Sequence, residues 1–187
     1  MKKYLLAVFV AVLSITCLSS YSFGIDEVKK LLAHNLCLFC DLSGANLEGV
    51  DLSDALLFRA DLSNVNLYGA NLMEANLRGA DLTGTNLSDA LLLRADLSYA
   101  NLQGANLTGT NLSRAGLTET NLSDALLLRV DLSYSNLQGA NLSRAALAGA
   151  NLTGADLTGT MLRRADLGGA ILCQTKTPWG EDNSDCK

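Results

Sequence analysis

The stretch Ala80-Asp81-Leu82-Thr83-Gly84-Thr85-Asn86-Leu87-Ser88-Asp89-Ala90-Leu91-Leu92 sets leucines at every fifth place: Leu82, Leu87 and Leu92. Extended in both directions, the same count from Leu42 to Leu172 meets 27 positions, and all 27 are Leu. Two places before each Leu stands a small or β-branched residue: 18 Ala, four Thr, three Val, Ser135 and Cys40. Directly before the Leu stands Asp or Asn, at every repeat but seven. A period of five fits neither regular element. On an α-helix five residues turn through about 500°, which scatters the leucines around the cylinder. On a flat strand an odd repeat sends alternate leucines to opposite faces.

The pattern fits a chain that is extended over small-polar-Leu and then turns a corner over the next two places. The small residue and the Leu point inward together. Four such sides close a square coil, so each residue stacks on the one four repeats later and adjacent coils pair through their backbones. Ala is needed beside each Leu because a narrow square has no room for a second large side chain. Corner positions agree, with Gly44, Gly84, Gly104 and Asp124 among them. Each buried Leu contributes on the order of 1.5–3 kcal/mol before ordering costs, so a charge at a central Leu is expected to be severe. At about 4.8 Å per coil the rod is roughly 32 Å long.

Runs such as Ala45-Asn46-Leu47, Ala80-Asp81-Leu82-Thr83-Gly84 and Ala155-Asp156-Leu157-Thr158-Gly159 resemble the A(D/N)LXX signature of the pentapeptide-repeat family. The resemblance covers residues 40–174 and implies an all-β, right-handed quadrilateral β-helix. Leu56, Leu91, Gly116, Leu126, Ala146, Met161 and Ile171 depart from it at the polar position, with the central Leu kept in each.

Composition agrees with such a rod. Hydrophobic residues make up 49 % of the chain but aromatics only 5 %, so the core is built from Leu and Ala rather than from rings. The formal charge of -5 leaves no basic footprint for nucleic acid or an anionic membrane surface. A single histidine, His34, leaves little for acid-base catalysis near neutral pH. The coils carry no nucleophile-base set or phosphate-binding glycine loop, so the reading is of a non-enzyme without cofactors.

Both ends of the repeat change character. Residues 1–24 follow the signal-peptide pattern: Lys2 and Lys3, an apolar run from Leu5 to Leu13, and Ser22-Phe23-Gly24 as a cut site, with cleavage after Gly24 or, second, after Ser22. Cys17 offers lipidation as a minor alternative, with poorly suited residues before it. Export to the periplasm or beyond is expected, and after cleavage no membrane segment. Residues 25–39 read as a helical cap with Asp26 as N-cap and Ile25, Val28, Leu31 and Leu32 on its apolar side. Residues 175–187 read as a capping tail in which Trp179 covers the last leucine layer.

The four remaining cysteines are Cys37, Cys40, Cys173 and Cys186, an even number that in an exported chain favours disulfides. If each pair flanks one end of the rod, no bridge crosses between the ends, which leaves Cys37-Cys40 and Cys173-Cys186. Cys37-Leu38-Phe39-Cys40 also has the spacing of a redox motif, although without its βαβ setting, and His34 with Cys37 and Cys40 supplies three candidate metal ligands. The resemblance implies the disulfides as well, since exported family members often carry a CxxC before the first repeat and a Cys-bounded tail.

Two surface features stand out. Asp41, Asp61 and Asp81 form a column of carboxylates suited to a cation such as calcium, or simply a row of solvated corner residues. Asn-Leu-Ser and Asn-Leu-Thr triplets, as at Asn86 and Asn106, are by-products of the repeat. A motif recurring at every seventh repeat places Leu56 and Phe58, Leu91 and Leu93, then Leu126 and Leu128 where polar residues are the rule, with Met73 one coil from Leu93. These residues predict a diagonal apolar stripe for a protein partner or a weak homodimer; its plain alternative is a motif copied by duplication. The functional reading is an exported structural or protein-interaction scaffold. The resemblance implies one alternative, a DNA mimic that protects a type II topoisomerase, which needs a strongly acidic face and access to the cytoplasm.

Overall fold

The computed structural model describes residues 22–186, with no side chains described before Asp26. The apolar run and Cys17 therefore lie outside the described residues. Helix α1, Ser22–His34, opens the described chain. It starts earlier than the sequence suggests, so Asp26 lies inside it rather than at its N-cap. Asn35 ends it in the left-handed conformation (φ 56°), and its amide donates to the Leu31 carbonyl at 2.7 Å. Asn tolerates this conformation at a helix C-terminus better than most residues do.

From Leu36 the chain coils, four repeats to a turn, and parallel bridges run Leu36↔Leu56, Asp41↔Asp61, Asn46↔Asn66, Asp51↔Asn71 and onward to Asp156↔Lys176. Four sides result. The first carries Leu42 to Leu162, the second Leu47 to Leu167, the third Leu52 to Leu172 and the fourth Leu57 to Leu157. The fourth side starts with Cys37, which takes the inward place of a Leu and is fully buried. Backbone bonding is regular: the Leu92 amide donates to the Asn111 carbonyl at 2.7 Å, and the Arg94 amide to the Ser113 carbonyl at 3.1 Å.

Each corner is closed by a bond such as Ala95 amide to Leu92 carbonyl, 3.1 Å. The residue before the small one has positive φ, as at Arg94 (59°) and Gly104 (66°), which is the geometry of a type II turn. The core is a column of buried Leu with Ala beside it. Where Thr replaces Ala, its hydroxyl bonds to a leucine carbonyl one coil lower: Thr85 to Leu62 at 2.7 Å, Thr110 to Leu87 at 2.6 Å and Thr120 to Leu97 at 2.9 Å. Among the described residues no buried side-chain polar atom lacks a partner. Burial of these hydroxyls is thereby offset rather than penalised.

The ends are covered unequally. At the first coil α1 buries Leu31 and packs Val28 against the core. At the last coil a hairpin of β1, Thr175–Thr177, and β2, Gly180–Asp182, turns at Pro178-Trp179 and doubles back. Trp179 is 66 % exposed, and Leu162, Leu167 and Leu172 are only half-buried. The expected tryptophan lid is therefore corrected: the reversal holds Trp179 at a corner instead of over the leucines. Among the described residues no helix is long and apolar enough to cross a membrane.

Candidate interaction surface

The coil geometry fixes where each outward residue lies. Leu56 and Phe58 are on the fourth side, Leu91 and Leu93 on the third, and Leu126 and Leu128 on the second. Leu56, Leu91 and Leu126 are 46 %, 42 % and 45 % exposed, while Phe58, Met73, Leu93 and Leu128 are half-buried. Met73 stacks one coil from Leu93 on the third side. The three pairs thus climb around the rod across three sides, and no single flat side gathers them.

The fourth side does gather a contiguous apolar patch, at its first two rungs. Leu36 lies under Leu56, and Leu38 under Phe58, held by the Cys37 amide on the Leu56 carbonyl (2.8 Å) and the Phe39 amide on the Phe58 carbonyl (3.0 Å). Phe39, 65 % exposed, meets Phe58 edge to face with ring centroids 5.5 Å apart. Such a pair is worth about 0.5–1.5 kcal/mol beyond its burial. The Arg59 guanidinium sits 5.4 Å from the Phe58 centroid. One coil higher the patch gives way to Asn76 and Arg78.

Sequence reasoning misses Leu36, Leu38 and Phe39 because they fall in the span that reads as the cap. The signal is present: they stand four repeats before Leu56, Phe58 and Arg59, and stacking at that spacing puts Leu36 and Leu38 on the same side.

Cys37 and Cys40 are disulfide-bonded, with Cα atoms 5.5 Å apart, as are Cys173 and Cys186, at 4.7 Å. Glu27 rather than His34 comes together with the first pair, and bonded cysteines offer no thiolate to a metal. The Asp41, Asp61 and Asp81 carboxylates each accept from an amide two places on, Ser43 at 2.9 Å, Ser63 at 2.9 Å and Thr83 at 3.0 Å. These are Asx turns that shape the rung. Hydrogen bonds from Ser43 hold the Asp41 carboxyl below its ordinary range.

Acidic residues elsewhere are interleaved with basic ones one coil away: Glu74 with Arg94 at 3.3 Å, Asp124 with Arg144, and Asp156 with Lys176 at 3.3 Å. Burial works against the charge of Asp156, but bonds from Thr158, Gln138 and Lys176 outweigh it and bring the carboxyl down to about 2.

Comparison with known proteins gives the same repeat. The pentapeptide-repeat pattern matches in 8 copies over residues 39–73, 75–114, 110–145 and 140–176. The chain is similar to the solved structure of HetL, a pentapeptide repeat protein involved in heterocyst differentiation regulation in the cyanobacterium Nostoc sp. strain PCC 7120. Identity is 32 % over 78 % of this chain and 86 % of HetL, with a TM-score of 0.31. A pentapeptide repeat protein from the Arabidopsis thaliana thylakoid lumen is 28 % identical over 78 % of this chain and 76 % of its own, with a TM-score of 0.41. QnrB1, a plasmid-mediated fluoroquinolone resistance protein, is 23 % identical over 72 % of this chain and 78 % of its own, with a TM-score of 0.51. No curated protein matches the chain. With the repeat pattern matched over most of its length and its side chains stacked in four-sided coils, the chain belongs to the pentapeptide-repeat family.

Proposed function

We propose that the protein is an exported, non-catalytic scaffold that presents an apolar surface to another protein. The observation that carries this reading is the patch of Leu36, Leu38, Phe39, Leu56 and Phe58 on the first two rungs of the fourth side. Exposed apolar surface that is contiguous and rimmed by polar residues marks protein contact sites. Met73, Leu91 and Leu93 on the third side and Leu126 and Leu128 on the second are separate apolar positions higher on the rod, outside this patch. Export is supported by the leader pattern of residues 1–24 and by a disulfide at each end, a usage favoured in oxidising compartments. A DNA-mimic role draws less support, because Arg94, Arg144 and Lys176 neutralise their acidic neighbours instead of leaving a continuous acidic face.

Cell fractionation combined with cross-linking tests the reading. The protein is expected in the envelope fraction with both disulfides formed, joined to a partner through a contact that Leu38→Ser with Phe39→Ser removes. A cytoplasmic, reduced protein overturns it, as does a cross-linked partner retained by that double variant.

A further inference from the structure

Two corner columns border the fourth side, and their charges are related across it. Asp54, Glu74, Arg94, Arg114 and Tyr134 stand on the corner before the side, one to a coil. Arg59, Gly79, Tyr99, Glu119 and Gly139 stand on the corner after it, each five places further along the chain. Glu74 and Arg94, neighbours on one corner, pair with each other at 3.3 Å. Asp54, Arg59, Arg114 and Glu119 are exposed, and among the described residues none of them takes part in an ion pair. These unpaired charges are opposite in sign on a shared rung, Asp54 against Arg59 and Arg114 against Glu119, and the width of the side keeps them apart. Between the columns lie Leu36, Leu38, Leu56 and Phe58 on the first two rungs. Above them come Asn76 with Arg78, Asp96 with Ser98 and, two rungs further, Asn136 with Gln138.

We propose that the partner on this side is a second copy of the chain, laid alongside the first in the same direction about a two-fold axis parallel to the rod. The inference rests on the reading of the fourth-side patch as a contact surface. Half a turn about that axis exchanges the two corners and keeps every residue at its own height. Asp54 then meets the partner's Arg59 and Arg114 meets the partner's Glu119, each pair occurring twice. Within the side Leu36 meets the partner's Leu38 and Leu56 meets the partner's Phe58, which buries the patch against itself. The higher rungs match as donors and acceptors: Asn76 with the partner's Arg78, Asp96 with the partner's Ser98, and Asn136 with the partner's Gln138. Glu74 and Arg94 face the partner's Gly79 and the partner's Tyr99, which carry no charge, and these two are the ones that the chain pairs internally. Tyr134 faces the partner's Gly139, which has no side chain to obstruct it.

Other arrangements lack this match. Rods laid patch to patch in opposite directions bring each corner against itself, so that Asp54 approaches the partner's Asp54 and Arg59 the partner's Arg59. On the first side the parallel arrangement sets Glu119 against the partner's Asp124. On the second and third sides the acid-base matches between corners are Asp124 with the partner's Arg129 and Asp89 with the partner's Arg94, and each spends a group already paired within the chain. The fourth-side contact is apolar at its lower rungs with charges along both rims, the usual order of a protein interface. It is isologous and closes at two copies. One side of a short rod is a small interface, so the dimer is a weak one.

Sedimentation of the protein as it accumulates in the cell, disulfides intact, tests the proposal across a dilution series. A dimer is expected that dissociates further as salt is raised. Arg114→Glu and Glu119→Arg should each weaken it about tenfold or more, because each sets like charges against one another twice. An equimolar mixture of those two variants should associate again, since each then carries one sign on both corners and meets the other sign in its mate. An unchanged far-UV spectrum of each variant confirms that the coils persist. Leu38→Ser with Phe39→Ser should also dissolve the dimer. A monomer at every concentration overturns the proposal, as does a dimer unmoved by either charge variant or by the Leu38→Ser, Phe39→Ser pair, or a mixture that stays monomeric. If the wild type is monomeric while a different envelope protein is still cross-linked through Leu38 and Phe39, this pairing fails and the fourth-side contact surface stands; if neither association is found, both fail.

Discussion

Tyr134 packs against Gly154, its neighbour one coil above: a Cβ built on Gly154 would come 2.6 Å from the Tyr134 ring. The same pairing recurs where Asp89 faces Gly109 and Glu119 faces Gly139. At these corners a large residue is accommodated by a glycine four repeats later, which is a sequence relationship visible only once the coils are stacked.

Gly154→Ala should therefore destabilise the protein by about 1–2 kcal/mol from the left-handed backbone alone, with the ring clash added. Tyr134→Ala in the same chain should recover the clash and leave the backbone cost. Urea unfolding of the single and double variants measures both, and an additive double variant would contradict the contact.

Leu92 and Leu107 are fully buried in the central column. Leu92→Asp or Leu107→Asp places a carboxylate where no partner exists and should abolish cooperative unfolding. Circular dichroism on thermal melting reads the result, and a cooperative melt from both variants would show that the column is not the core.

Thr110 is buried and donates to the Leu87 carbonyl at 2.6 Å. Thr110→Val keeps the shape but removes the bond, at an expected cost of about 1 kcal/mol. Chemical denaturation at equal disulfide content is the measurement, and no change in midpoint would mean that the bond adds nothing net.

The Asp156 carboxyl lies at about 2 in the folded chain, below its ordinary unfolded value. A depressed folded value gives stability that is fully present above the unfolded value and is lost as pH falls through the folded one. The wild type should lose stability between roughly pH 4 and pH 2, and Asp156→Asn should lose less of it in that window. Denaturation midpoints of the two proteins across that window decide this, and parallel curves would exclude the linkage.

The Cys173-Cys186 bond holds the tail against the third side. Cys173→Ser should expose the Leu172 and Gln174 amides to hydrogen exchange while Leu92 and Leu112 stay protected. Exchange accelerated equally in the central coils would mean that the tail supports the whole rod rather than its end.

Periodicity alone is enough to specify the coil. Leu at every fifth place from Leu42 to Leu172, with small residues two places earlier, admits a square coil and excludes both helix and flat strand, because side-chain direction follows directly from backbone period. The ends and the surface depend on tertiary contacts. Residues 36–39 lack the Asp or Asn before the inward residue, and Cys37 stands in for Leu, so the first rung is recognised only by its bonds to Leu56 and Phe58. Trp179 is apolar and follows a proline, which suits a lid as well as a turn; the hairpin register Thr177↔Gly180 puts it at the corner. The apolar motif that returns at every seventh repeat reads as one stripe along the chain, yet a coil of four repeats distributes it over three sides. Periodicity is a local property and survives in sequence, whereas which residues become neighbours across coils depends on closure of the square.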